Sequence, residues 1–190
     1  CLLVLASCSE ETTEEEVVVS KPVYYVSSVT GLNIRNAPST NGDKVGAAIY
    51  RDPITILGRT DTSITAEGLK GEWLKIEYKG ETAYAFSAYL FPVIPPALND
   101  MSMPSYWEFN FVEDKEQPTT STSTVENGDS ITIEYTERRF LGCDCPSMTT
   151  IKPHSVEHSM MFKDITLDQA FAFARLFHAD FRDLKLGSGY

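Results

Sequence analysis

Residues 29–61, VTGLNIRNAPSTNGDKVGAAIYRDPITILGRTD, and residues 68–91, GLKGEWLKIEYKGETAYAFSAYLF, carry the pattern that decides the fold. Short runs of β-branched and aromatic residues alternate there with turn chemistry. Ile54 and Ile56, then Leu74, Ile76 and Tyr78, recur at every second position, which places each set on one face of a pleated strand. Asn41-Gly42 and Lys79-Gly80 fall between extended stretches and read as turns. Five or six short strands in about seventy residues predict a small barrel or sandwich.

Within that pattern Leu32 to Thr40, LNIRNAPST, resembles the LNVRSGPST opening of the bacterial SH3 domain. Val45-Gly46, Ile54 to Gly58, Trp73 to Ile76, Gly80, and Ala83-Tyr84-Ala85 through Tyr89-Leu90 follow in the order and spacing of that family. The resemblance covers Val23 to Phe91 and departs at Ala37 and Ala83, where the family usually has glycine. It implies an SH3-like β-barrel used for association rather than chemistry. Such domains are attached to cell-wall peptidases and other envelope proteins, and some bind peptidoglycan peptides. The proline-rich ligands of the eukaryotic namesakes do not carry over.

The residues have physical roles of their own. Arg35 offers five donors suited to tying a loop through backbone carbonyls, and Pro38 fixes φ while biasing Ala37 towards extended backbone. Trp73, Tyr78, Tyr84 and Tyr89 are the candidate lining of a ligand groove, since aromatic rings give large rigid contact area with a polar tip. For each, filling the core of a small barrel is the more ordinary role.

Upstream, residues 1–7, CLLVLAS, are expected to be the end of a signal segment: they are too short to span a bilayer and carry small residues at their end. Leu5-Ala6-Ser7-Cys8 resembles the lipobox of bacterial lipoproteins, and the resemblance implies that Cys8 is acylated and becomes the mature first residue; an ordinary cleaved signal peptide is the alternative. Each buried methylene is worth about 0.8 kcal/mol, so a multiply acylated cysteine suffices as an anchor. Ser9 to Glu16 carries five glutamates and no basic residue, which makes residues 8–22 an acidic tether. The acidic run after the cysteine resembles a cell-surface signal of some lipoproteins, and Ser9 resembles outer-membrane sorting. The expected location is therefore the cell envelope, lipid-anchored, with the outer membrane favoured.

Net charge is −11 in all, distributed as +1 over residues 21–91, −7 over 92–190 and −5 in the tether. No basic face is available to replace phosphate counterions, which argues against nucleic acid as a partner.

Phe91-Pro92-Val93-Ile94-Pro95-Pro96 reads as an extended linker, residues 92–104, ahead of a second domain over 105–190. Tyr106 to Val112, Ser130 to Glu137 and Val156 to Ile165 read as strands, and Pro118 to Thr124 as a polar loop. Thr166-Leu167-Asp168-Gln169 has the capping-box form. From it a helix is expected to run to just before Gly187, with Ala170, Phe173, Ala174, Phe177 and Phe181 on its buried face. The fold class is thus mostly β, an N-terminal SH3-like barrel followed by a small α+β domain with one C-terminal helix.

Cys143 and Cys145 would be the only free thiols of an exported, acylated protein and would tend to oxidise to a disulfide. Three other readings stay open: unbonded thiols, a zinc set with His154 and His158, and a cysteine nucleophile with a histidine base. The chain contains no glycine-rich phosphate loop, no HExxH and no GxSxG. We therefore expect no catalytic residues, no cofactor and no metal, and a binding or scaffolding module for peptidoglycan peptides or an envelope protein. The rival is an envelope hydrolase or metal-binding protein with its site in the C-terminal domain and the barrel as targeting module.

Overall fold

The computed structural model describes residues 21–98, 101–114, 119–127, 129–141, 145–152, 154–182 and 184; Cys8, the tether up to residue 20 and Cys143 lie outside them. Strands β1 (Val23–Val26), β2 (Leu32–Arg35), β3 (Lys44–Ala48), β4 (Pro53–Ala66), β5 (Leu69–Tyr78), β6 (Glu81–Phe86) and β7 (Leu90–Phe91) form one antiparallel sheet. Their order is β3-β2-β6-β5-β4-β1-β7, and the sheet curls into an SH3-like barrel. The alternation read from the sequence is the cause: Ile54, Ile56, Leu74 and Ile76 all point into the barrel core beside Val26 and Ile34. Two hairpins close on residue pairs with positive φ at both positions, Glu67 (54°) with Gly68 (82°) and Lys79 (54°) with Gly80 (82°), the backbone that lets two antiparallel strands twist together without splaying. Arg35 ties its loop as expected, donating from Nη1 to the Gly42 carbonyl at 2.6 Å.

Strand β4 slips register against β5 twice, between Ile56 and Gly58 and between Arg59 and Ser63. Bulges of this kind bend and twist the strand that carries them.

The segment after the barrel differs from its expected form. Val93 is buried and Pro95 and Pro96 are fully buried, and the Pro96 carbonyl accepts the Tyr50 hydroxyl at 2.7 Å. The three prolines hold an extended path through packed surroundings rather than through solvent. Tyr106 to Val112, expected as a strand, is instead mostly helix α1 (Met103–Asn110). Ser102 caps it by accepting the Ser105 N–H, and Pro104 occupies its first turn, where a missing N–H costs nothing. Met103, Tyr106 and Trp107 then share its inner face, donating packing to a second aromatic cluster.

The second sheet contains β8 (Val112–Glu113), β9 (Thr119–Asn127), β10 (Asp129–Leu141), β11 (Cys145–Lys152) and β12 (Ser155–Met160). It runs β12-β11-β10-β8, with β9 also paired to β10. Strand β10 contains the expected 130–137 strand. The expected polar loop at 118–124 is largely strand β9, matched to β10 from Thr119↔Glu137 to Asn127↔Asp129. Threonine favours extended backbone, and ladder hydrogen bonds need no apolar side chain. The strand expected at 156–165 is confined to β12.

Helix α2 (Leu167–Ala174) starts at the capping box: Thr166 accepts the Gln169 N–H at 3.2 Å and the Gln169 side chain accepts the Thr166 N–H at 2.9 Å. It ends far short of residue 187. Single 3-10 turns follow at Arg175–Phe177 and Ala179–Phe181, separated by extended His178. The buried face is Gln169, Ala172, Phe173 and Leu176. Phe173 keeps its expected place, whereas Ala174 is exposed and Phe181 is half exposed.

The mostly β architecture with a C-terminal helix follows the sequence reading, but the helix rests on the barrel. Ala172 belongs to the barrel core, and Phe173 stacks on Phe91 with ring centroids 4.0 Å apart and planes 14° apart. Phe91 and Phe173 also meet Tyr106, Trp107, Phe140 and Leu176 in the second cluster, so the helix is a shared wall between the two halves.

Candidate functional site

Glutamine is a poor residue to bury unless each polar atom finds a partner. Gln169 is buried and satisfied: besides its capping bond, Nε2 donates to the Ser87 carbonyl at 3.1 Å and the Leu90 carbonyl at 2.9 Å. One position earlier, the Asp168 carboxylate accepts the Lys70 backbone N–H at 2.7 Å. These bonds set the first turn of α2 against the base of the β4–β5 hairpin.

The space between them is a cleft. It has a volume of about 520 Å³ and is walled by Ser63, Ile64 and Thr65 of β4, Lys70, Gly71 and Glu72 of β5, the N-cap Thr166, and Asp168 and Gln169 of α2. Tyr24 and Leu74 give it an apolar floor. A second recess of about 230 Å³, lined by Pro22, Leu57 and Gly58, shares Tyr24, Arg59 and Leu74 with the first, so the two form one groove along the bulged strand. The size lies within the range of about 300–1,000 Å³ usual for ligand pockets.

The charges in the groove are balanced. The Arg59 guanidinium pairs with the Glu72 carboxylate, Asp168 is engaged by the Lys70 backbone, and the Lys70 side chain is exposed.

None of the four aromatic residues singled out in the sequence lines this groove. Trp73 and Tyr89 are buried in the barrel core, both against Phe86, with centroids 6.4 Å and 6.0 Å from it. The Tyr89 hydroxyl donates to the Glu67 carboxylate; burial, aided by that carboxylate, pushes the phenol up to about 12. Tyr78 and Tyr84 are half-buried and pack on the barrel core from its flank. The aromatic residue that does line the groove is Tyr24, which carries no family signal of its own.

The proposed metal and thiol residues are spread out. Cys145 opens β11 opposite Phe140, His158 lies opposite Thr149 four positions along that strand, and His154 lies beyond its far end. At about 3.4 Å per residue, the strand alone separates Cys145 from the His154 end by about 24 Å. Cys145, His154 and His158 therefore do not come together as one zinc set, and the fourth candidate, Cys143, lies outside the described residues. No group of three or more His, Cys, Asp or Glu side chains that could hold a metal occurs among the described residues. Nor is any described helix long and apolar enough to cross a membrane.

A small curled barrel with a groove on its flank is an architecture suited to binding. The family model for the bacterial SH3 domain matches residues 30–91, a third of the chain, in agreement with the LNIRNAPST resemblance. No curated protein and no solved structure gives a significant match to the chain.

Proposed function

We propose that the protein is an envelope lipoprotein that captures short peptides in the groove between its barrel and helix α2. Peptidoglycan peptides are the favoured ligand class, with an extended segment of an envelope protein as the alternative source of the same chemistry. The observation that carries this reading is the 520 Å³ cleft of mixed polarity built onto a bacterial SH3 barrel. Peptidoglycan peptides are short and extended and bear both carboxylate and amino groups, which match the Arg59, Glu72 and Lys70 arrangement. The module works by holding its ligand and performs no chemistry of its own. The lipobox-like Leu5-Ala6-Ser7-Cys8 and the glutamate-rich run after it support the same role, because an acylated Cys8 on such a tether would hold the barrel at a distance from the membrane and within reach of the wall.

The test is co-sedimentation of the full chain, made soluble by Cys8→Ser, with purified peptidoglycan. Retention that weakens several-fold on Arg59→Glu or Lys70→Glu supports the reading. Equal retention of wild type and both variants, or none at all, overturns it. In the native host Cys8→Ser should also move the protein from the membrane to the soluble fraction; continued pelleting after a salt wash would refute acylation at that residue.

A further inference from the structure

The five methionines of the chain, at positions 101, 103, 148, 160 and 161, all lie in its second half. Met103, Met148 and Met160 border one small recess between α1 and the β11–β12 hairpin, together with Trp107 and His158. The recess holds about 20 Å³, room for one water-sized particle or a bare ion. Its chemistry is soft. Met103 and Met160 are drawn in by the aromatic cluster, and Trp107 donates its indole N–H to the Met160 thioether. His158 Nδ1 lies 3.1 Å from Thr149 Oγ1, an orienting contact that leaves Nε2 as the ring nitrogen available to a ligand.

Local charge does not oppose a cation there. Arg138 also borders the recess, but Glu113 holds it through two bonds, Nε at 2.8 Å and Nη2 at 2.7 Å, and Glu108 accepts from Nη1 at 3.0 Å. Paired with two carboxylates, the Arg138 guanidinium is neutralised beside the cavity. Hard divalent cations want oxygen ligands and zinc wants thiolate, imidazole or carboxylate sets, whereas thioethers select soft d¹⁰ monovalent ions.

We propose that Met103, His158 and Met160 form a binding site for a soft monovalent cation, Cu(I) or its analogue Ag(I), with Trp107 as the adjacent ring. The site is independent of the peptide groove. It is tested on the full chain with Cys1, Cys8, Cys143 and Cys145 replaced by serine, so that no thiol competes. Titration with Cu(I) in ascorbate against a chromophoric Cu(I) chelator should show one ion per chain and quenching of tryptophan fluorescence that Trp107→Phe abolishes. Met103→Leu with Met160→Leu should weaken binding at least tenfold, and Zn(II) should not compete. X-ray absorption at the copper edge gives a second readout that needs no variant at the site: sulfur scatterers in the cysteine-free protein can only be methionine. Binding unchanged in the double leucine variant, a purely nitrogen and oxygen shell, or no binding at all would overturn the proposal and leave the methionines as packing around Trp107.

Discussion

Replacing Gln169 by alanine tests whether helix α2 is structurally part of the barrel. The side chain makes three hydrogen bonds, two donated to the Ser87 and Leu90 carbonyls and one accepted from Thr166. The Ser87 carbonyl would keep the Leu90 N–H as a donor, so the main loss at the buried end is the bond to the Leu90 carbonyl. Depriving a buried acceptor of its donor costs about 1–3 kcal/mol, and half of a capping box contributes about 1 kcal/mol. The expected destabilisation of Gln169→Ala is therefore about 2–4 kcal/mol, a drop in Tm of about 5–15 °C for a chain of this size. Gln169→Glu should cost more at neutral pH, because it faces a carboxylate towards two carbonyl oxygens. Urea unfolding of the full chain followed by fluorescence is the assay, since Trp73 reports the barrel core and Trp107 the second cluster. Both signals should shift together. A loss below about 0.5 kcal/mol, within the scatter of surface substitutions, or a shift confined to the Trp107 signal would refute the coupling.

Phe173→Ala should be the most damaging single truncation in the helix, about 3–5 kcal/mol by the same assay, because the ring stacks on Phe91 and meets Tyr106, Phe162 and Phe177 edge-on. Gly31→Ala should cost about 1–3 kcal/mol, since φ there is +87° and an added Cβ would stand 2.9 Å from the Ala48 carbonyl oxygen; a neutral effect on Tm would contradict this. Stability should also fall in alkali. Burial, with the Glu67 carboxylate, raises Tyr89 to about 12, and burial raises Tyr50 further, while unfolded tyrosines ionise near pH 10. The unfolded chain then binds fewer protons, so stability is complete below about pH 10 and declines towards 12; the urea midpoint followed from pH 9 to 11.5 should show this, with a shallower fall in Tyr89→Phe.

The barrel was legible because its signals are local. Ile54 and Ile56 alternate within one strand, Lys79-Gly80 closes a two-residue hairpin, and Arg35 reaches a carbonyl seven positions away. The start of α2 was legible for the same reason, since a capping box spans four residues. Helix α1 was not: in Tyr106-Trp107-Glu108-Phe109-Asn110-Phe111 the apolar residues satisfy a two-residue period nearly as well as a helical one, and Tyr106 and Trp107 are buried side by side. Strand β9 was hidden because a serine and threonine run declares itself only through its partner, β10. The groove lay furthest from view. Its walls meet through Lys70 and Asp168, 98 residues apart, and its aromatic residue, Tyr24, precedes the matched segment. The methionine recess likewise draws on α1 and β12.

Chemical-shift mapping of the isotopically labelled full chain with soluble peptidoglycan peptides tests the central claim most directly. Saturable shifts that cluster at residues 63–65, 70–72 and 166–169, on both walls of the groove, are the predicted result. Shifts confined to the flank around Tyr78 and Tyr84, or none at millimolar peptide, would contradict it.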